Sequence, residues 1–349
     1  MNAKELMTLS IEVGASDLHL NPGRPPVGRV DGKLVSLSTE VVDDATAERW
    51  CRELCDDKHW DELLEVGTTD IGLAHESGTR FRVSCMKQRG RFGAVLRLIP
   101  SDLLTFDQIG LPDTVQQLLR RPRGLVLVTG PTGSGKSTTL ATMIDWINQS
   151  LDRHIITIED PIEFYHRHGQ GLVTQREVGQ DVPDFPEAMR RALRQDPDVI
   201  LLGEMRDLDT ISAALTAAET GHLVFGTLHT TGSARTINRI IDAYPANQQE
   251  QVRAQLSVAL VAVVSQVLMP KDGGKGRVAG FEVMINNPAI ANLIRKNETN
   301  KIQSTIQTSK RMGMVTLDDY LMDLVREGEI SAQTALDYAQ DPRDLEGRL

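Results

Sequence analysis

The chain has 349 residues, a formal net charge of −10 and 40% hydrophobic residues. This length predicts two domains with separate buried cores, and the acidic balance argues against a large nucleic-acid-binding surface. No apolar run approaches the roughly 18 residues that span a bilayer, and the longest, 256–269, predicts a buried helix. The opening residues MNAKE lead into no apolar signal core, so we expect a protein that stays in the cytoplasm.

The first third of the chain predicts a small α/β domain built on a mixed sheet. Helical and strand periodicities alternate through it, giving in chain order a helix over 6–13, a strand over 17–20, a hairpin over 27–35, a helix over 46–64 and strands over 69–74, 80–86 and 93–99. Gly14 is expected to end the first helix, Asp31-Gly32 to form the hairpin turn, and Pro100 to close the domain.

The three cysteines of this region, Cys51, Cys55 and Cys85, contain no CxxC pair. An odd number without that spacing indicates neither a disulfide framework nor a zinc site. We therefore interpret them as buried thiols.

A second α/β domain is predicted after a helical connector over 105–119 and a basic cluster, RRPR, at 120–123. Apolar strands alternate there with helix-length segments, at 125–129, 155–159, 199–203 and 223–227. Continuous apolar strands in this alternation predict a buried, mainly parallel sheet. We expect an N-terminal domain over 1–104, a linker over 105–123 and a second domain over 124–349, in which the glycine-rich segment 271–277 is an exposed loop.

The most specific motif is GPTGSGKS at 130–137, which matches the phosphate loop GxxxxGK[ST] and lies between a predicted strand and a predicted helix. Glycines allow backbone N–H groups to turn inward around phosphate, and the helix N-terminus adds partial positive charge. Lys136 is expected to reach the β- and γ-phosphates of ATP, and the Ser137 hydroxyl to hold Mg²⁺. The expected nucleotide contacts are Gly130, Pro131, Thr132, Gly133, Ser134, Gly135, Lys136, Ser137 and Thr138.

Carboxylates follow the next two predicted strands, in EDPIE at 159–163 and in GEMRD at 203–207. Parallel sheets bind their ligands at the carboxyl ends of the strands. Transfer of a phosphoryl group to water requires a metal that offsets phosphate charge and an acceptor that orients the water. Glu204 and Glu163 are the candidates for catalysis and for Mg²⁺, partly through water, and Glu159 is expected in the nucleotide site.

His222 and His229 bracket the fourth apolar strand of the second domain. Their spacing of seven residues suits neither a helical nor a hairpin zinc pair. Both are expected to face the nucleotide, where an imidazole senses the γ-phosphate.

These segments together resemble the PilT-type retraction ATPases of type IV pili, within the superfamily of secretion and pilus ATPases. The resemblance covers nearly the whole chain and rests on the segments GASDLHL, GPTGSGKSTTL, ITIEDPIEF, LLGEMRDLDTI and ALTAAETGHLVFGTLHTT. It implies a PAS-like N-terminal domain, a RecA-like ATPase domain and a homohexameric ring. The catalytic residues that it implies are Glu163, Glu204, His222 and His229, with Arg82 and Arg97 as arginine fingers.

The sequence also departs from the patterns of this superfamily. Residues 289–294 read AIANLI where the retraction branch has AIRNLI, so Ala291 replaces an arginine. The chain has no four-cysteine zinc motif, which argues against the assembly-type secretion ATPases.

The resemblance implies a Mg²⁺-dependent ATPase motor for pilus retraction and twitching motility. It would be peripheral to the inner membrane at the pilus base, with the inner-membrane platform protein and a paralogous pilus ATPase as partners and no nucleic acid. The alternatives are a pilus-extension or type II secretion ATPase, an accessory nucleotide-binding scaffold ring, and a nucleic-acid translocase. The presence of Glu163 and Glu204 favours an active ATPase over a scaffold ring, and the net charge of −10 argues against a nucleic-acid translocase. The direction of force, and whether the arginines act within one subunit or across a boundary, stay open.

Overall fold

The computed structural model describes residues 1–30, 32–99, 103–274 and 276–349. The chain divides into two compact units, 1–102 with 161–165 and 103–160 with 166–349. The predicted turn residue Asp31 and the predicted domain end at Pro100 lie outside the described residues.

The first unit is an antiparallel sheet with three helices. Its elements are α1 (Ala3–Glu12), β1 (Asp17–Leu20), β2 (Val27–Val30), β3 (Lys33–Ser36), α2 (Asp44–Leu54), α3 (Asp57–Val66), β4 (Thr68–Ala74), β5 (Arg80–Gln88) and β6 (Arg91–Ile99). The strand order is β3-β2-β1-β6-β5-β4, and each described pair of neighbours is antiparallel. The prediction of a mixed sheet is wrong. The connection through α2 and α3 leads to a β4-β5-β6 meander, and strand β6 of this meander pairs antiparallel with β1.

The helix predicted over 46–64 is two helices. Helix α2 ends before Cys55, and the Asp56 side chain accepts a hydrogen bond from the His59 N–H at the start of α3. The cysteines are free and buried, as predicted, in the core formed by the sheet and the helices.

The second unit is a seven-stranded sheet with helices. Its elements are α4 (Phe106–Ile109), α5 (Asp113–Leu118), β7 (Gly124–Thr129), α6 (Lys136–Ser150), β8 (His154–Glu159), β9 (Leu172–Glu177), α7 (Phe185–Ala192), β10 (Val199–Leu202), α8 (Leu208–Thr220), β11 (Leu223–Leu228), α9 (Ser233–Asp242), α10 (Gln249–Ala259), β12 (Leu260–Pro270), β13 (Arg277–Ile285), α11 (Pro288–Arg295), α12 (Ile302–Thr308), α13 (Leu317–Arg326), α14 (Ala332–Tyr338) and α15 (Pro342–Glu346).

The order β13-β12-β7-β11-β10-β8-β9 places the strand before the phosphate loop, β7, in the interior of this sheet, between β12 and β11. All neighbouring pairs are parallel except β12 with β13. The predicted buried, mainly parallel sheet is therefore confirmed, and β9, β12 and β13 are strands that the sequence did not predict. In a parallel sheet the loops after β7, β8, β10 and β11 meet at one edge, which positions the candidate site.

The prediction of a buried helix over 256–269 is wrong. Helix α10 ends at Ala259, and β12 runs from Leu260 between β7 and β13. Residues 260–267 are all buried. A strand that is covered on both faces is apolar without alternation, and its sequence therefore resembles that of a buried helix.

The region before β7 is two short helices, with Gly110 between them at φ +70°. Phe106, Leu111 and Val115 from this region join the hydrophobic core of the second unit. None of the helices in the described part of the chain is both long and apolar enough to cross a bilayer.

Candidate nucleotide-binding site

The phosphate loop curves through three glycines with positive φ angles, Gly130 at +146°, Gly133 at +79° and Gly135 at +87°. A Cβ atom on Gly130 would lie 2.2 Å from the backbone oxygen of Gln266 in β12 and 2.7 Å from Ser134 Oγ. Only glycine combines this backbone conformation with such a close approach. The loop is therefore seated directly on β12.

Helix α6 begins at Lys136 and has no side-chain hydrogen bond at its N-cap, Gly135. Its first N–H groups thus lack a capping side chain and give the end of the helix a partial positive charge. The Lys136 ammonium donates to the carbonyl oxygens of Gly130, at 2.9 Å, and Pro131, at 3.1 Å. Ser137 and Thr138 lie in the first turn of the helix. The backbone, the helix end and the lysine fit the phosphates of a nucleotide.

Glu204 follows β10 at the same edge of the sheet and contacts two basic side chains. Its Oε1 atom lies 2.6 Å from Arg206 Nε and 3.1 Å from His229 Nε2. Partial burial favours a higher pKa for this carboxyl, but the hydrogen bond and charge of Arg206, with a smaller contribution from His229, bring the pKa of Glu204 below its usual value. Glu204 is therefore a carboxylate at neutral pH.

His229 connects this carboxylate to the phosphate loop. Its Nε2 atom faces Glu204, and its Nδ1 atom lies 3.5 Å from the Thr132 hydroxyl oxygen. In the tautomer that donates from Nε2 to the carboxylate, Nδ1 accepts from Thr132. The ends of β10 and β11 and the phosphate loop thus meet in one series of polar contacts.

Glu159 ends β8, the strand beside β10, and its carboxylate accepts hydrogen bonds from the Thr157 hydroxyl at 2.6 Å and the Gln175 amide at 3.3 Å. Gly203 allows the two strand ends to approach, because a Cβ atom there would lie 3.3 Å from the Glu159 Cα. Glu159 and Glu204 therefore stand on adjacent strands at the edge that carries the phosphate loop.

His222 lies at the other edge of the sheet. It precedes β11, whereas His229 follows it, so strand geometry separates the two Cα atoms by roughly 20 Å. The His222 Nδ1 atom is 3.1 Å from the Ala217 carbonyl oxygen, at the end of α8. His222 and His229 therefore lie at opposite ends of β11, and His229 is the one at the edge that carries the phosphate loop.

Three other predicted site residues lie in the first unit. Glu163 belongs to the segment 161–165, which groups with that unit. Arg82 and Arg97 are exposed cross-strand neighbours on β5 and β6. The Arg97 guanidinium donates from Nε to Asp17 Oδ1 at 2.9 Å. Burial of Asp17 favours a higher pKa, but hydrogen bonds from Arg97 and Ser16 lower the pKa of this carboxyl below its usual value.

Sequence reasoning missed three polar side chains at the site: Arg206 beside Glu204, Gln266 against the phosphate loop and Ser265 against the loop after His229. The buried Gln266 amide donates to the Ser134 carbonyl at 2.5 Å, and the Ser265 hydroxyl accepts from the Gly232 N–H at 2.8 Å. The signal of Ser265 and Gln266 in the sequence is that they interrupt the apolar run 256–269.

Mg²⁺, which the resemblance implies, fits the oxygen donors at this edge. It prefers hydroxyl, carboxylate and water oxygens, and it keeps several waters when protein ligands are few. The Ser137 hydroxyl in the first turn of α6 and the ionised Glu204 are ligands of this kind.

Comparisons with known proteins identify the family of the chain. The sequence profile of the Type II/IV secretion system protein family matches residues 10–336. The Pseudomonas aeruginosa type IV pilus retraction ATPase PilT is 49% identical over 99% of this chain and 100% of its own length, and the type IV pilus ATPase PilU of the same organism is 39% identical over 99% and 90%.

A crystal structure of the pilus retraction motor PilT with bound ADP superposes with a TM-score of 0.93, at 47% identity and with complete coverage of both chains. This match confirms the predicted fold class, a RecA-like P-loop ATPase domain with a smaller α/β N-terminal domain. The chain therefore belongs to the Type II/IV secretion system protein family and is similar over its whole length to the PilT branch.

Proposed function

We propose that this chain is a Mg²⁺-dependent ATPase that powers the retraction of type IV pili. The observation that carries the proposal is the series of contacts from Thr132 through His229 to Glu204, which joins a phosphate loop to an ionised carboxylate. The direction of the motor rests on the near-full-length similarity to PilT, a retraction ATPase by name.

ATP binding replaces contacts that the loop makes with itself. The Lys136 ammonium, which donates to the loop carbonyls of Gly130 and Pro131, turns to the β- and γ-phosphates, while backbone N–H groups and the start of α6 surround them. Ser137 and Glu204 would hold Mg²⁺, in part through water, and Glu159 would lie beside the nucleotide. Bound Mg²⁺ supplies a charge that offsets the negative charge of the phosphates.

Hydrolysis requires an acceptor that orients the attacking water, and Glu204 serves in this role. Arg206 and His229 hold its carboxylate at the edge of the sheet and keep it ionised. His229 also touches Thr132, so a γ-phosphate that moves Thr132 changes the hydrogen bonds of the carboxylate. In this way phosphate binding is coupled to the position of the base.

Four further roles rest on the resemblance alone. Glu163 is proposed as a second catalytic glutamate, Arg82 and Arg97 as arginine fingers, and His222 as a residue that acts in the assembled ring.

A mixing experiment tests the arginines. If they serve the nucleotide of their own chain, rings mixed from Arg97→Ala and Glu204→Gln subunits stay inactive, because every site then carries one defect. Recovery of activity on mixing would show that they act across a subunit boundary.

The proposed assembly is a homohexamer at the cytoplasmic base of the pilus, peripheral to the inner membrane. Its proposed partners are the inner-membrane platform protein and a paralogous pilus ATPase, with no nucleic acid. Within the chain we propose a PAS-like domain over 1–104, a linker over 105–123 and a RecA-like domain over 124–349. Light scattering with nucleotide present should find six times the chain mass of 38.5 kDa, and a monomer in all nucleotide states would contradict the ring.

The experiment that tests the ATPase compares binding with turnover. Lys136→Ala should weaken ATP binding, whereas Glu204→Gln should retain binding and lose turnover by roughly 10²-fold or more. Glu298→Gln is the matched control, since Glu298 pairs with Lys301 at 2.8 Å on an exposed surface. Undiminished hydrolysis by Glu204→Gln would show that another group orients the water.

A further inference from the structure

Strand β12 carries two adjacent polar residues at the point where it passes the candidate site. Ser265 and Gln266 interrupt a run in which the other residues from Leu260 to Val267 are apolar, and both are buried, with 6% and 2% exposed. Adjacent residues of a strand point to opposite faces of the sheet. The two side chains therefore reach different loops.

On one face, Gln266 supports the phosphate loop. Its Nε2 atom donates to the Ser134 carbonyl oxygen, and its backbone oxygen lies against Gly130. A Cβ atom on Gly135 would lie 3.2 Å from the same amide nitrogen. Gly130, Ser134 and Gly135 of the loop thus all lie close to one residue.

Stability alone would favour an apolar side chain over the Gln266 amide at this position. Its Oε1 atom is buried without a hydrogen-bond partner in the described part of the chain, and so is Ser134 Oγ. A buried polar atom without a partner costs free energy that an apolar side chain of the same size would not. The contact with the loop is therefore better explained by positioning than by packing.

On the other face, Ser265 supports the loop that follows His229. Its hydroxyl oxygen accepts from the Gly232 N–H at 2.8 Å. Directly across the ladder, Glu282 of β13 accepts from the Ser233 N–H at 2.6 Å and from the Ser233 hydroxyl at 2.7 Å. These bonds fix the start of α9, four residues after His229.

We propose that Ser265 and Gln266 are positioning residues for nucleotide hydrolysis, which hold the His229 loop and the phosphate loop from opposite faces of one strand. The inference rests on the proposed ATPase function and deepens it. Because the two loops share one support, β12 sets the distance between them. The same strand thereby sets the distance between Thr132 and His229. A shift of one loop by about 1 Å is enough to lower the rate of hydrolysis by a large factor.

The two residues should affect different constants. Gln266→Met removes the amide at nearly constant size, so the phosphate loop loses its support and the Kd for ADP should rise about tenfold. Ser265→Ala frees the loop after His229, so kcat should fall about tenfold while the Kd for ADP stays within about twofold of the unaltered protein. Ser265→Thr keeps the hydroxyl and should restore kcat.

Matched controls come from the same region of the chain. Ser257→Ala removes a second buried hydroxyl, which donates to the Ala254 carbonyl at 2.7 Å, and Gln255→Met removes an amide that donates to Glu219 at 3.3 Å. Both lie before β12, at the opposite end from the loops. Their ADP affinity and kcat should stay within about twofold of the unaltered protein.

The measurements are titration with a fluorescent ADP analogue, steady-state ATPase kinetics and thermal unfolding of the full chain. The inference holds if the Kd and kcat effects divide between Gln266 and Ser265 as stated while the melting temperatures match the controls. It is overturned if both variants have the constants of the controls, or if activity falls only in proportion to the loss of folded protein. Unaltered protein that binds ADP without hydrolysing ATP would defeat the proposed function instead, and the ADP titration would still test Gln266.

Discussion

Replacement of Gly130 by alanine tests whether the phosphate loop is seated on β12. The added methyl group would lie 2.2 Å from the Gln266 backbone oxygen and 2.7 Å from Ser134 Oγ. A carbon atom cannot approach a backbone oxygen so closely, so the loop must move away from the strand. The expected result is weaker nucleotide binding together with lower stability.

The magnitude has two parts. A φ of +146° is strongly disfavoured for residues other than glycine and costs about 1–3 kcal/mol. Overpacking against the backbone of β12 adds about 1–3 kcal/mol. The sum of about 2–6 kcal/mol is a large fraction of the roughly 5–15 kcal/mol that stabilise a typical folded protein.

Gly273→Ala is the control, because Gly273 also has a left-handed backbone, at φ +84°, but a Cβ atom there would meet nothing within 4 Å. It should cost only the backbone strain, about 1–2 kcal/mol. The assay is urea unfolding of both variants, followed by titration with a fluorescent ADP analogue. If Gly130→Ala unfolds at the same urea concentration as Gly273→Ala and binds ADP normally, the loop is not seated on β12.

Three further outcomes are expected. His229→Ala should lower kcat about tenfold, a loss of about 1.4 kcal/mol in transition-state stabilisation, with an unchanged melting temperature. His222→Ala should leave the ADP affinity unchanged, because His222 lies at the other edge of the sheet. Equal losses of ADP affinity in both variants would contradict this separation of the two histidines. Asp17→Asn should lower kcat by loosening Arg97 and should add nothing to the effect of Arg97→Ala in a double variant, while additive losses would show that the two act independently. Burial favours a higher pKa for Asp319, but hydrogen bonds from Lys310 and Arg348 lower the pKa below its usual value. Its contribution to stability is therefore present above about pH 4 and is lost as the pH falls through the lowered pKa. The melting temperatures of the unaltered protein and Asp319→Asn should differ at pH 7 and approach each other as the pH falls below about 4, and a constant difference would refute the assignment.

The parts of the fold that sequence predicted correctly are those with local signals. The phosphate loop is a contiguous motif between a strand and a helix, and β7, β8, β10 and β11 are short apolar runs bounded by polar residues. Each can be recognised without knowledge of its neighbours. Their alternation with helices then requires a parallel sheet and brings Glu159, Glu204 and His229 to one edge.

The errors come from elements whose conformation depends on distant partners. Strand β12 has 11 residues, about twice the usual strand length, so its apolar run reads as a helix until β7 and β13 are known on either side. The contact from Gly232 to Ser265 joins residues 33 positions apart, and the distance between His222 and His229 depends on β11 being fully extended. No local pattern contains this information.

The most direct test of the account is deletion of the gene in its own organism, followed by fluorescence imaging of pili on living cells. A retraction ATPase predicts cells with more pili than the parent, none of which shorten, and recovery of shortening when the unaltered gene, but not Glu204→Gln, is returned. Cells without pili would contradict retraction and indicate an extension ATPase, and pili that still shorten at the parental rate would show that this chain is not the retraction motor.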